Sequence, residues 1–458
     1  MWFFLLIILV LLGALYVVAR RSSVPEIRWD WGRINLENLT FPHSFMWGVT
    51  SGIIPGDTQK PSNWSAWRDA QKGDSAAVRH LPPGVIDWSR TAAILDHLTA
   101  LKVKAYRFGL AWSDIEPRQA QFEESVIRQY ADFCTELRKR NIEPVVTLHH
   151  LAAPLWFEAL GGFEKVRNIE VFVAFAEKAF SGLNQQVRRW ITFHQPAATA
   201  LQGWYWGNYP PGKQDLRLAS KVLANLLDAH TAVYHRFKKL AGETTPIQIG
   251  LTKQIRHFDP ARRWHPLDWV FVDALNRLYR DEVIHYLAEG VFDFQVPGFF
   301  KTRRINPLAK GALDFIGLDY FTHEAVRTVL DWRRPIRLET PRFEPTDDIS
   351  SAIYPEGLYT GIRRLAQLKK PIYITANGLA DSANEYRAQF IRRHLYAVRR
   401  AIAENYPVKG YFYYSLTDQD DWRVDQSVAY GLLAENGKSF QYRPAAEIYR
   451  DILRPYST

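Results

Sequence analysis

Beyond residue 42 the hydrophobic positions of this chain alternate between two periods. Short, almost continuous apolar runs, rich in β-branched and aromatic residues, fall at 45–52, 103–112, 144–150, 190–194, 247–253, 313–321, 371–377 and 410–416. Between most of them lie longer amphipathic stretches, at 89–101, 125–140, 170–183, 216–240, 358–368 and 385–405. The first pattern suits strands covered on both faces, the second helices with one apolar stripe. Strands that alternate with helices make parallel β/α units, and a count of eight predicts a single closed (β/α)8 barrel, a TIM barrel, in place of a doubly wound sheet. The stretch 323–351, with several prolines and arginines, breaks both patterns. It follows the sixth strand, at the barrel end where such folds build their sites, and is expected to form a lid or cleft wall.

The N-terminus follows a third pattern. From Met1 to Ala19 no side chain is charged. As a helix this stretch spans about 28 Å at 1.5 Å per residue, close to the roughly 30 Å of a bilayer core. No basic residue precedes it, and it exceeds the ~7–15 residues of a signal-peptide core, which favours an uncleaved transmembrane helix over a cleaved leader. Arg20 and Arg21 follow, and positive charge flanking a span predicts a single-pass membrane protein with the barrel on the cytoplasmic side. The expected organisation is an anchor over 1–19, a linker over 20–42 and one barrel over 43–458. A chain of 458 residues, 47% of them hydrophobic, is compatible with one barrel carrying insertions.

Composition changes this picture in few ways. The formal net charge of +10 is dispersed over helix faces, as at Arg363-Arg364 and Arg399-Arg400. No basic run with interleaved aromatics appears, so a nucleic-acid partner is not expected. The single cysteine, Cys134, excludes an intrachain disulfide. The 16 Trp, 22 Tyr and 26 Phe exist mainly to fill a large core, with a remainder available for packing on sugar rings.

The chemistry concentrates at the strand ends. Arg107 interrupts an apolar strand and, once buried, needs a partner, commonly a carboxylate. His149 and His150 end the third strand, but neighbours on a strand point to opposite faces, so they do not read as a metal pair. No other ligand cluster has metal spacing, and no metal is expected. The fourth run ends Thr192-Phe193-His194-Gln195-Pro196, the seventh Ile374-Thr375-Ala376-Asn377-Gly378, and the eighth is followed by Ser415-Leu416-Thr417-Asp418-Gln419-Asp420-Asp421-Trp422.

These segments resemble family 1 glycoside hydrolases, the β-glucosidase family, with its patterns TFNEP, ITENG and WSLLDNFEW. The resemblance extends to Phe45-Met46-Trp47-Gly48, to VKAYRFGLAWSDIEP over 103–117, to Asp314-Phe315-Ile316-Gly317, to IYPEGLY over 353–359, and to Tyr430-Gly431-Leu432 and Arg443-Pro444. It implies a sugar cleft and a retaining mechanism that uses two glutamates about 5–5.5 Å apart. At the matching positions this chain has Gln195 for the acid/base and Ala376 for the nucleophile. His194, Asp319 and Phe321 replace two asparagines and a tyrosine of the family pattern. Leu151, Ala152 and the Ile53-Ile54 region replace further sugar-binding groups. Arg107, His150, Asn377 and Trp422 are retained, and Asp421 keeps the charge of a sugar-binding glutamate.

Glutamine cannot exchange a proton as a carboxylic acid does, and alanine cannot form a glycosyl-enzyme bond. The expectation is therefore a membrane-anchored pseudo-glycosidase that binds a carbohydrate or glycolipid headgroup through Arg107, His150, His194, Asn377, Asp421 and Trp422, or that acts as a scaffold for a membrane-protein partner. The alternative is an active glycosidase or transglycosylase that recruits Asp319, Asp418, Asp420 or Asp421, with His194 as a proton shuttle. The resemblance implies no cofactor, and no phosphate loop or dinucleotide fingerprint is present.

Overall fold

Each of the eight apolar runs overlaps one strand of a closed parallel barrel in a computed structural model of the protein. The structure describes residues 10, 13–14, 16–17, 26–37, 39–54, 60–71, 90–242, 246–296, 300–331, 335–421, 426–436 and 439–456. The barrel strands are β1 (Met46–Ile54), β2 (Ala105–Leu110), β3 (Glu143–His149), β4 (Arg189–Phe193), β5 (Gln248–Gln254), β6 (Phe315–Asp319), β7 (Ile372–Asn377) and β8 (Val408–Tyr414). Each pairs in parallel with the next, and β8 closes on β1 with Met46 opposite Gly410 and Thr50 opposite Tyr414. All eight run in sequence order around the ring, as short right-handed β/α connections require.

Side-chain alternation sorts each strand between two environments. Ala105, Val145, Ile191, Phe315, Tyr373 and Phe412 come from six different strands yet form one buried cluster, which places them inside the barrel at its lower end. Their neighbours Tyr106, Phe108, Val146, Trp190 and Ile316 point outward into the larger core beneath the helices. Two residues above the interior cluster, the same faces carry Arg107, Thr147, Gly317 and Thr375, and two further on β6 carries Asp319. The interior thus changes from apolar to polar along the strand direction. Gly317 makes that layer possible, because a Cβ there would lie 2.6 Å from Thr375 Oγ1 and 2.8 Å from Thr252 Cγ2.

The outer layer follows the amphipathic stretches, with helices at Thr91–Ala100, Glu124–Lys139, Ile169–Leu183, Leu216–Ala241, Pro355–Leu365 and Arg387–Ala403. Leu216–Ala241 starts at Asp215, whose side chain accepts a 3.0 Å bond from the backbone N–H of Leu218 as an N-cap. Pro355 begins its helix at the first turn, where its missing N–H has no partner to lose.

Three expectations need correction or qualification. The region 323–351 is not irregular throughout: His323–Thr328 and Ile336–Glu339 join His257–Pro260 in a three-stranded sheet beside the barrel. Its first strand pairs with a segment after β5, so no local pattern announces it. The stretch expected as a linker lies against the barrel over its described part. There the N–H groups of Ile27 and Trp29 donate to Tyr354 Oη and Glu356 Oε1 at 3.1 and 2.9 Å, and Trp29 and Trp31 pack on Tyr396. The expected single-pass membrane protein with a cytoplasmic barrel is overturned: among the described residues no helix is long and apolar enough to cross a membrane. Most of 1–19, on which that expectation rested, lies outside the described residues.

Arg387 ties the helix after β7 to the loop after β8. It is fully buried, and its guanidinium donates to the carbonyls of Tyr430, Gly431, Asp381 and Ala429 at 2.5–2.8 Å. Arg387→Ala leaves four buried carbonyls without this donor, so a loss of about 3–5 kcal/mol is expected in urea unfolding.

Candidate functional site

The polar upper end of the barrel opens into a cleft of about 710 Å³. Trp67, Trp206, Phe321 and Tyr414 contribute aromatic surface, and His150, His194, Gln195, Gln202 and Gln254 contribute polar groups. Ile336 and Leu338 of the side sheet form part of its wall. Aromatic faces beside a few convergent polar groups suit a ligand with both C–H faces and hydroxyls.

Beneath the cleft lies a closed polar constellation centred on Asp319. Arg107 is 1% exposed and Asp319 is fully buried. Nη1 of Arg107 lies 3.3 Å from Asp319 Oδ1 and donates at 3.1 Å to the Thr375 carbonyl, while Nε reaches Thr147 Oγ1 at 3.4 Å. The Thr375 hydroxyl donates to Asp319 Oδ1 at 2.6 Å, and the Gln195 amide donates to Oδ2 at 2.9 Å. Burial alone raises the pKa of this carboxyl, but Arg107 and the donors around it outweigh burial and hold it far below the ordinary aspartate range. Asp319 is therefore an ionised acceptor with both oxygens engaged.

That arrangement settles the state of His194. Arg107 Nη2, which can only donate, lies 2.8 Å from His194 Nδ1, so Nδ1 accepts and the ring carries its proton on Nε2. The 3.3 Å approach of Nδ1 to Asp319 Oδ2 is then a contact between two acceptors. Burial, which outweighs Asp319, lowers the His194 pKa, and the ring is neutral near pH 7. His150 stacks against it with centroids 4.1 Å apart, and burial also pushes its pKa well below the usual value. His149 points the other way, among Phe163, Phe172 and Phe193, although the alternation that turns Val145 and Thr147 inward would turn it inward too, so the pattern breaks at the end of β3.

The remaining predicted positions divide between cleft and scaffold. Gln195 lies two residues past β4, in the left-handed region (φ 49°, ψ 58°), a costly backbone for a non-glycine residue, just before Pro196 opens a helix. Ala376 ends β7, buried, with its Cα register partner being Asp319. Asn377 is fully buried: its amide donates to the Tyr320 carbonyl at 2.8 Å and accepts from Tyr411 Oη at 2.8 Å. Both ends of its amide are thus used within the protein, and it does not line the cleft. Asp418 is held by Arg443 through two bonds of 2.7 and 2.8 Å. The side chains of Asp420 and Asp421, together with Trp422 and the side chains of Ile53 and Ile54, lie outside the described residues.

Sequence reasoning missed the supporting threonines and one further cluster. Thr147, Thr252 and Thr375 are spaced along different strands and acquire meaning only when the barrel closes. His257, Asp259 and His323 meet on the side sheet with ligand atoms all within 4.8 Å of one another. The His-x-Asp spacing at 257–259 was the available signal, since residues two apart share a strand face.

A parallel eight-stranded barrel with an aromatic and polar cleft above its interior defines the class of barrel enzymes and proteins descended from them. Residues 37–452 match the family described as Glycosyl hydrolase family 1, and the chain belongs to that family. It is 26% identical over 426 residues to Beta-glucosidase A of Thermotoga maritima, covering 86% of this chain and 92% of that protein. It is 25% identical over 484 residues to the human Lactase-like protein, covering 94% and 82%. The solved beta-glycosidase from Pyrococcus horikoshii superimposes with a TM-score of 0.78 at 26% identity, covering 92% of this chain and 98% of that one.

Asp319→Asn removes the countercharge of a buried arginine, so a loss of about 3–5 kcal/mol at pH 7 is expected in urea unfolding. The Asp319 contribution is complete above the ordinary aspartate pKa near 4 and declines as pH falls below it. The acid limb of the stability profile should therefore flatten in the variant. Gln195→Glu places a second carboxylate against Asp319 and raises the pKa of the new group. Destabilisation is expected at neutral pH and should vanish below about pH 4, where the unfolded glutamate is itself protonated.

Proposed function

We propose that this chain is a carbohydrate-binding member of glycosyl hydrolase family 1 in which the double-displacement reaction has been lost. One observation carries the reading: the buried carboxylate under the cleft is Asp319, tied on both oxygens by Arg107, Thr375 and Gln195. The positions that match the family's two glutamates hold Gln195 and Ala376. A retaining mechanism needs one carboxylate free to attack and a second free to exchange a proton. Asp319 is committed to holding Arg107, and the Gln195 amide is committed to Asp319. The cleft carboxylate Glu324 faces Arg256, whose Nη1 donates to both its oxygens at 3.1 and 3.0 Å.

The three substitutions support one another. The resemblance puts Asp319 where the family has an asparagine, Gln195 where it has the acid/base, and Ala376 where it has the nucleophile. Ala376 and Asp319 are register partners on β7 and β6. A negative charge has in effect moved from one strand end to the next, and the second has become a neutral donor to it. Arg107 keeps its countercharge, and the reactive groups are gone. The neutral Nε2–H of His194, the His150 ring and the aromatic walls remain to hold hydroxyls and C–H faces. The ligand class is a sugar or a glycolipid headgroup.

The test is a ligand and substrate panel on the full chain, following thermal stability and hydrolysis with monosaccharides, aryl glycosides and glycolipid headgroups. Stabilisation by a sugar without turnover is expected. Turnover of an aryl glycoside by the wild type, abolished by Asp421→Ala, would sink the reading. A second arm concerns charge placement. Gln195→Glu with Ala376→Glu is expected to stay inactive, because two new carboxylates would crowd Asp319. Adding Asp319→Asn frees Arg107 for position 376, and turnover of an activated aryl glycoside should then appear.

A further inference from the structure

We propose that His257, Asp259 and His323, backed by Glu344, bind a divalent transition ion of the zinc type on the far side of the cleft wall. Two strands of the side sheet, His257–Pro260 and His323–Thr328, run parallel with His323 opposite His257. Asp259 lies two residues beyond His257, on the same face. Both imidazoles aim Nε2 at one oxygen: Asp259 Oδ2 lies 3.1 Å from His257 and 3.0 Å from His323. Donors around a zinc ion at about 2.0–2.2 Å stand roughly 3.3 Å apart in a tetrahedron, so small side-chain shifts admit the ion.

The other nitrogen of His323 strengthens the assignment. Its Nδ1 lies 2.7 Å from Glu344 Oε1. A carboxylate on the outer nitrogen fixes the tautomer of a metal-bound histidine and raises its basicity. With its proton on Nδ1, His323 points an Nε2 lone pair at a carboxylate oxygen, a conflict that either a second proton on Nε2 or a metal cation between them relieves. The second oxygen of Glu344 is buried and has no hydrogen-bond partner among the described residues. Asp259 and Glu344 together bring two negative charges to a pocket whose two histidines are buried. One divalent ion balances them, and two imidazoles select zinc-like ions over calcium or magnesium.

The position gives the ion a structural purpose. Strand alternation turns His323 away from the cleft while its neighbours Thr322 and Glu324 line it, and Arg256, next to His257, lines it too. The ion would join the two strands whose opposite edges carry the Arg256–Glu324 pair of the wall. It is distant in role from Gln195 and Ala376, so its presence does not depend on whether the cleft binds sugar.

The full chain, stripped with a chelator and dialysed, is titrated with zinc against a chromophoric chelator and with cobalt by visible absorption. One equivalent of each is expected, with sub-micromolar zinc affinity. Binding should be lost in His257→Gln and in Asp259→Asn, and Glu344→Gln should weaken it about 10–100-fold. X-ray absorption on zinc-loaded wild type, which needs no variant, should show two imidazoles at about 2.0–2.1 Å. Absence of stoichiometric binding by the wild type overturns the proposal and leaves a cluster held by a proton on His323. Binding undiminished in His257→Gln, or a spectrum lacking the imidazole pair, overturns it equally.

Discussion

The upper barrel depends on one buried ion pair, Arg107 with Asp319. A guanidinium inside a barrel is tolerable only when its charge is met and its donors are used. Here the Asp319 carboxylate, the Thr375 carbonyl, Thr147 Oγ1 and His194 Nδ1 together meet it. Everything at the cleft floor follows from those commitments. Because Arg107 can only donate, His194 must accept and is neutral. Because Asp319 is ionised, residue 195 must donate, which an amide does and a carboxylate at neutral pH does not.

Removing the carboxylate that faces a buried arginine costs a large part of a domain's stability. Asp319 on β6, the register partner of Ala376 on β7, supplies that carboxylate here. The lower interior, with Phe315, Tyr373 and Phe412, is apolar and takes no part in this pairing. Stability and chemistry are thereby separated by height along the barrel axis.

The wall of the cleft has different origins from its floor. The floor is built from strand ends held by the barrel's own closure. The wall is a three-stranded sheet whose parts come from after β5 and after β6, joined through parallel pairing of His257 with His323 and faced on the cleft by Arg256, Glu324, Ile336 and Leu338. The sheet packs on the outer core through buried Phe258 and Val326. His257, Asp259 and His323 also join its two parallel strands.

The amino-acid sequence by itself determined the eight strands, the helices between them and the family, because hydrophobic period and short motifs are local properties that survive substitution elsewhere. It also located Arg107, Gln195 and Ala376 and the opposite facing of His149 and His150, but not which of the two enters the cleft. Only the tertiary structure decided which carboxylate meets Arg107, that Asn377 is spent between Tyr320 and Tyr411, and that 323–351 contributes strands to a wall. Those outcomes are contacts between residues far apart in the chain, between 57 and 212 positions for Asn377 with Tyr320 and Arg107 with Asp319. The sequence names the groups, but barrel closure sets their distances, and distance is what fixes charge, tautomer and hydrogen-bond direction.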